Sequence, residues 1–433
     1  MFRRRRESGI VILMVAVFLL FVVGAMAALA IDVVSLYTAR SQAQLAADGA
    51  ALAGARVLAN SGMTSKPTDL LLVTNAENLA RTIARQVAMS NEVGGRTLLL
   101  SEVTVTFNNA NPANPRVTVQ TGRTDLPTFF ARIWGNSALT VSATATAEAY
   151  NPSGAATVIP VAPMCVKPWL LPNIDPSSTT PGSRIFDPTT GAIQTTSLLG
   201  WTYNTPLPNP GIPMSPACGP TGNCTPPLPF PVAWSYYPGD DATTFPHPTR
   251  SLPTCTPPLT SHYQQSIAGC IEAPIACNST ANIDTINYGA VRNSETTDAV
   301  NCLTHATSTP GDADQVDFVA TPSPPFQFLG GTDNPVAGVA TKPVLVSSSL
   351  VTVPVFDVLH APPPPFPSPT NPVTIIGFVQ LFLNPDGAET PPPAGNVNAT
   401  VINMVGCGNT TVTPPILGNG ASAVPVRLVT DTP

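Results

Sequence analysis

Residues 9–31, GIVILMVAVFLLFVVGAMAALAI, contain no charged side chain and lie between Arg3, Arg4, Arg5 and Arg6 on one side and Asp32 on the other. Wound as a helix at ~1.5 Å per residue, the run covers ~33 Å, enough for the hydrocarbon core of a bilayer. The four arginines mark the cytoplasmic side, which sends the bulk of the chain across the membrane. The competing use of such a run is a cleaved signal peptide, with Ala25-Met26-Ala27 or Ala28-Leu29-Ala30 as the cleavage site. Its length, and the apolar and small residues that continue past both cuts, favour an uncleaved anchor. A twin-arginine export signal fits worse, because Glu7-Ser8-Gly9 follows the arginines directly. The expected topology is therefore single-pass, with a cytoplasmic N-terminus and an extracytoplasmic bulk.

The next stretch, DVVSLYTARSQAQLAADGAALAGARVLA, stays helix-compatible, with no proline before Pro67. The helix is expected to run to about Leu58 and to end at Asn60-Ser61-Gly62, where Asn or Gly takes up the left-handed C-terminal conformation. Its small residues form candidate packing positions: Gly24 and Ala28 in the apolar run, then Ala43, Ala47, Ala50 and Gly54. Small residues let a second helix approach closely.

A membrane helix that runs on into an Ala-rich helix reading AADGAALAGA resembles the N-terminal module of the TadE/TadG-like proteins of the bacterial Flp (tight-adherence) pilus machinery. The phrase TFFARIWG before SALTVSATATAEA adds to that resemblance, which spans roughly a third of the chain. It implies a structural component anchored in the inner membrane, its bulk periplasmic, that assists assembly or anchoring of an Flp-type pilus. The implied partners are other pilus-assembly membrane proteins or pilin-like subunits, met through helix packing. Pilin-type processing after Gly9 is disfavoured, because Met14 stands where such substrates usually carry a glutamate. The alternative function is a membrane-anchored envelope adhesin or carbohydrate-binding module that uses loops such as 361–372.

Composition divides the chain near residue 150. Of 51 prolines, only Pro67, Pro112, Pro115 and Pro127 come earlier, so the first part can be helical and the second cannot hold many helices. The expected organisation is a basic tail (1–9), a transmembrane helix (10–31), a helical neck with a small α+β unit (32–150), a Pro/Cys-rich insert (151–315) and a β domain (316–433). The fold class is α+β. In the neck, Thr74-x-x-Glu77 reads as a capping box for a second helix, with Ala76, Leu79, Ile83 and Val87 on its apolar face. Glu77 and Arg81 are spaced to pair, and Gly94-Gly95 is expected to stop the helix. Glu102–Phe107 and Arg116–Gln120 read as strands joined through the Asn/Pro-rich 108–115. A short helix over Leu126–Trp134, capped by Asp125, precedes a long strand at Ala138–Ala149. One helical hairpin and that short helix would cover a three-stranded antiparallel sheet.

Beyond residue 315, β-branched runs at 316–320, 326–329, 342–359, 373–383, 396–405 and 424–429 predict a β-sandwich-like domain. Pro354 is expected to put its run at an edge or to split it. Residues 361–372, APPPPFPSPTNP, read as a polyproline II loop.

All eight cysteines, Cys165, Cys218, Cys224, Cys255, Cys270, Cys277, Cys302 and Cys407, lie beyond the membrane segment. An even count confined to the exported part indicates disulfides formed in an oxidising compartment. The absence of any C-x2-C spacing argues against zinc. Seven of them fall within 165–302, so one must pair outside that region, and Cys407 is the remaining partner.

Chemistry-bearing motifs are sparse. The histidines His247, His262, His305 and His360 belong to no HExxH or nucleophile signature, and no GxSxG, GxGxxG or GxxxxGK[ST] occurs. TadG-like proteins often carry a metal-binding DxSxS loop, and the nearest match is Asp175-Pro176-Ser177-Ser178-Thr179. Prolines on both sides and the lack of α/β alternation argue against a metal there. Asp312, Asp314 and Asp317 lack the glycine and the closing glutamate of a calcium loop and read as a solvated turn. Net charge −6 with no basic stripe argues against a nucleic-acid partner. No enzyme activity, cofactor, metal or small-molecule substrate is expected.

Overall fold

The computed structural model describes residues 7–430 except 112, 129–134, 136–137, 156–157, 179, 181–182, 196, 201–233, 239–253, 284–289, 307–311, 320, 322, 358–371, 385–396, 409–413 and 419–421. The protein is α+β: a long apolar N-terminal helix, few other helices, and many strands in small sheets.

Helix α1 (Glu7–Asn60) is unbroken from the apolar run through the Ala-rich segment. It ends where Gly62 turns left-handed at φ +79°. Helix α2 (Leu70–Met89) starts earlier than its sequence predicts. Asp69 caps it by accepting from Leu72 N–H at 3.1 Å, whereas Thr74 lies inside and returns its hydroxyl to Leu70 O at 2.8 Å. An aspartate just beyond Pro67 offers an N-cap one turn before the threonine does. The 77–81 pair gives way to other partners. Glu77 takes the Asn109 amide, while Arg81 bonds Asn78 Oδ1 at 2.9 Å and lies over the Phe107 ring. Added Cβ atoms at Gly49 and Gly54 would meet Val87 and Ala84 respectively, so α2 lies antiparallel along the C-terminal half of α1.

Strands β1 (Glu92–Val93) and β2 (Arg96–Thr97) form a tight hairpin about Gly94 and Gly95, at φ +59° and +89°. The two glycines turn a hairpin; α2 has already ended. The main sheet of this unit contains β3 (Val103–Asn108), β4 (Arg116–Pro127) and β5 (Ala138–Ala149), all antiparallel. Leu126 and Pro127 extend β4 instead of opening a helix, and the rest of that expected helix lies outside the described residues, apart from Thr128.

Beyond residue 150, β6 (Val161–Ala162), β7 (Trp169–Pro172), β8 (Trp234–Pro238), α3 (His262–Ala268), β9 (Thr280–Ile283) and α4 (Ala290–Leu303) come from the Cys-rich region. Three short strands follow, β10 (Gln315–Val316), β11 (Phe328–Leu329) and β12 (Pro343–Val344), in a sheet of their own. Then come β13 (Leu350–Phe356), β14 (Pro372–Leu383) and β15 (Ala399–Gly406). The sheet order is β13-β7-β8-β9-β14-β15, and β13 also pairs with β14. The five strands from β13 round to β14 therefore close a ring, where a sandwich was expected. The insert is not a separate layer, because its β7, β8 and β9 complete the ring. A trace of the reason lies in β7, whose four residues Trp169–Pro172 are all buried.

Pro354 sits inside β13, opposite Phe378 of β14, without breaking the strand. The Thr352 carbonyl accepts from Lys167 N, so residues 352 and 354 point away from β14. On that side pairing with β7 begins only at Val355, and the missing proline N–H costs no ladder bond.

Two short strands complete the chain, β16 (Ile416–Leu417), parallel to β6, and β17 (Val426–Val429). β17 does not join the C-terminal sheet. It pairs with β5 from Val426–Ala149 to Val429–Thr146, making the N-terminal sheet four-stranded in the order β17-β5-β4-β3.

The two units meet at a buried polar seam. Gln380 Nε2 donates to Asn60 Oδ1 at 3.0 Å, and Asn403 Nδ2 donates to Ala59 O at 2.6 Å and to Thr64 Oγ1 at 3.0 Å. Ser65 Oγ accepts from Met404 N at 2.8 Å and Asn151 Nδ2 donates to Met404 O at 2.8 Å. The amides at 151, 380 and 403 are fully buried. These bonds tie the C-terminal end of α1 to β14 and β15. Breaking one strands its partner in a dry interface, at ~1–3 kcal/mol.

Candidate membrane anchor and packing face

The candidate functional surface is α1. Its 54 residues reach ~80 Å at ~1.5 Å each. Among the described residues it is the one helix long and apolar enough to cross a membrane, and its most apolar stretch packs against nothing in the chain. Ile10, Leu13, Phe18, Leu20, Phe21 and Met26 are all exposed. In a soluble chain such a strip would be an aggregation hazard; a helix this long and hydrophobic all round can span a bilayer.

The picture changes at Asp32. From there one side of the helix turns inward, with Ala39, Ala43, Ala46, Ala47, Ala50, Ala51 and Ala55 buried, while Ser41 and Leu45 stay exposed. The three- and four-residue spacing is that of a helix face. What covers this face is the chain's own sheet and α2. A Cβ at Gly54 would stand 3.3 Å from Val117 and 3.4 Å from Ala84. Buried Thr121 donates its hydroxyl to Ala43 O at 3.0 Å, and Gly94 N–H reaches Gln42 Oε1 at 2.8 Å. Ala43, Ala47, Ala50 and Gly54 are thus internal packing positions, not a surface open to a partner helix. Side chains larger than methyl would hold the sheet off α1. Gly24 differs, because a Cβ there meets nothing within 4 Å, while Ala28 is buried. Arg3, Arg4, Arg5 and Arg6 lie outside the described residues.

Near the foot of the neck, α1 and the ends of β4 and β5 border a cavity of about 340 Å³ lined by Asp32, Leu36, Ala39, Gln42, Leu126 and Leu139. Beside it lies a charged clasp. Arg96 bonds Glu102 at 2.6 Å and Asp125 at 2.8 Å. Buried Arg123 bonds Asp125 at 2.8 Å and donates to the carbonyls of Val93 and Gly94. Arg96 and then Arg123 hold the Asp125 carboxyl down at about 2, and Arg96 likewise lowers Glu102. Asp125 therefore clasps the β1–β2 hairpin and caps no helix.

The cysteines assemble at long range. Cys165 faces Cys270 (Cα–Cα 4.4 Å), Cys255 faces Cys302 (5.5 Å) and Cys277 faces Cys407 (5.2 Å), all within disulfide reach. Cys407 thus meets a cysteine of the 165–302 region. Cys218 and Cys224 lie outside the described residues.

The other sequence candidates resolve into local structure. Asp175 Oδ1 accepts from Ser177 N at 2.9 Å and from Ser177 Oγ at 2.5 Å, closing its own turn. Asp314 is buried, not solvated. It accepts from Gly331 N and Asn334 Nδ2, each at 2.9 Å, and from Ser347 Oγ. Among the described residues no group of three His, Cys, Asp or Glu side chains is placed to hold a metal. His247 and His360 lie outside those residues, as do Phe129, Phe130 and Trp134. Sequence reading missed Lys167, whose ammonium is buried and donates to Ile267 O at 2.6 Å and Gly269 O at 2.9 Å. Burial pulls its pKa down to about 7. No periodicity announces it, since a lone Lys before Pro168 reads as surface.

Against this geometry, residues 9–57 match the family model described as putative Flp pilus-assembly TadE/G-like. The matched segment is almost all of α1, from the first turn of the apolar run to the last buried turns of the neck. No curated protein and no solved structure matches the chain.

Proposed function

We propose that this protein is a single-pass, membrane-anchored structural component that assists the assembly or anchoring of an Flp-type pilus. Its basic tail lies in the cytoplasm and its sheets outside the inner membrane. The observation that supports this best is the change of character along one unbroken helix. The apolar half is bare, the following half is buried by the chain's own sheet, and the two together make up the segment that matches the pilus-assembly family. A rigid stalk of this kind holds the outer units at a fixed height and orientation above the bilayer. The three cysteine pairs fit an oxidising compartment and act there as disulfides.

Because the neck alanines are used internally, partner helices are met within the membrane, around Gly24. A photo-crosslinking residue at Gly24 is expected to capture other membrane proteins of the pilus machinery, whereas one at exposed Ser41 captures far less. Equal capture at both positions, or none at Gly24, contradicts this assignment.

A further inference from the structure

A second pocket, far from the membrane, has a chemistry that the anchor does not use. It lies where β3 ends and β4 begins, has a volume of about 340 Å³, and is built on the sheet face away from α1. Strand alternation puts it there. Val117, Ala147 and Ala149 point into the core against α1, while their neighbours Arg116, Glu148 and Tyr150 line the pocket.

Glu148 is buried between two guanidinium groups. Arg116 bonds it at 3.3 Å and Arg427, delivered by β17, bonds it at 2.6 Å. Two cations share one anion, leaving one net positive charge in a pocket on a chain of net charge −6. The other polar groups are donors too. Asn108, Asn111 and Asn114 each turn the amide oxygen back to the backbone, accepting from Ala110 N, Ala113 N and Asn151 N at 3.0, 3.2 and 2.8 Å. That leaves their NH2 ends for a ligand. The Tyr150 hydroxyl oxygen already accepts from Ile159 N at 2.7 Å.

We propose that this pocket binds a carboxylate-bearing sugar, a uronic-acid unit of an acidic glycan. The carboxylate would meet the Arg116 and Arg427 guanidinium groups, whose planar forks suit it. Its hydroxyl and ring oxygens would accept from the three asparagine amides. A donor-rich wall of this kind needs more acceptor atoms than one carboxylate supplies. An acidic peptide would bring its own N–H donors to a wall whose carboxylate is already taken by the two guanidinium groups and whose asparagine oxygens are already taken by the backbone. The volume lies at the small end of ligand pockets, fitting a short saccharide segment. The pocket is remote from the membrane helix, so this assignment stands or falls independently of the pilus reading.

Titration of the full-length chain in detergent micelles with tri-galacturonate, followed by calorimetry, tests it. Tri-galacturonate is expected to bind, more weakly as salt rises, while the neutral galactose trimer, sodium acetate and a glutamate-rich hexapeptide bind at least about tenfold more weakly. Asn114→Asp and Asn108→Asp keep the oxygen that accepts from the backbone but replace the donor by an anion. Each should weaken binding about tenfold or more with the melting temperature unchanged. Should one of them unfold the chain, the other and the salt series carry the same reading. No binding of tri-galacturonate, equal binding of acetate or the peptide, or full binding by both folded variants would overturn the assignment.

Discussion

The neck and the ring solve the same problem in opposite ways. In the neck, one long helix lays a face of alanine and glycine on a sheet whose register is set mostly by neighbouring strands, and no cysteine is needed. In the ring, strands from five separate stretches of a Pro-rich chain must be gathered, and cysteine pairs 47, 105 and 130 residues apart accompany them. Close packing of small groups suffices where the backbone is already ordered by its own hydrogen bonds. Where proline and glycine deny the chain that local order, covalent closure offsets part of the entropy.

Breaking the longest closure should have the largest effect. Cys277→Ser with Cys407→Ser is expected to lower stability by ~2–5 kcal/mol. Denaturation should show loss of the ring while the far-ultraviolet helix signal, carried mostly by α1 and α2, persists. A simultaneous loss of both signals would show that the polar seam couples the units more tightly than the contrast implies.

The same contrast explains what could be read from the sequence. The span of β5 and the end of α1 were legible because each follows from a local pattern, alternation in one and Asn/Gly termination in the other. The small-residue face of Ala43, Ala47 and Ala50 was legible, and so were a second helix and a sheet beside it, but not that these two together close the face to a partner. A small-residue stripe looks alike whether a partner or the chain's own sheet packs on it. The ring and β17 depend on pairings between residues far apart, such as Arg427 with Glu148, and no local signal specifies them. Asp314 and Lys167 were misjudged or missed because burial of a charge is decided by tertiary neighbours.

Next in size is overpacking of the neck. Ala47→Leu should cost ~1–3 kcal/mol, because the sheet and α2 cannot retreat without opening the core. Ser41→Gln on the exposed side should be close to neutral, and so should Gly24→Leu in the folding of the outer units. A double comparison of Ala47→Leu and Ser41→Gln by thermal melts sharpens the contrast, and similar melts for the two would remove it.

The smallest effect is a pH dependence confined to the ring. Burial depresses Lys167 to about 7 in the folded state, so between pH 7 and the ordinary lysine range the unfolded chain binds one more proton than the native one. Stability therefore rises with pH over that window, by up to ~2 kcal/mol from pH 7 to 9, and levels off below it. Lys167→Met should flatten this slope, whatever it does to stability itself. Urea midpoints across the window in both proteins check the sign.

The central claim is that α1 remains one continuous helix, bare in the membrane and covered outside it. The intact mass of the chain recovered from the membrane fraction tests this most directly. The account predicts a species that retains residues 1–31 and needs detergent for extraction. A mature chain beginning at Ala28 or Ile31, released without detergent, would contradict it.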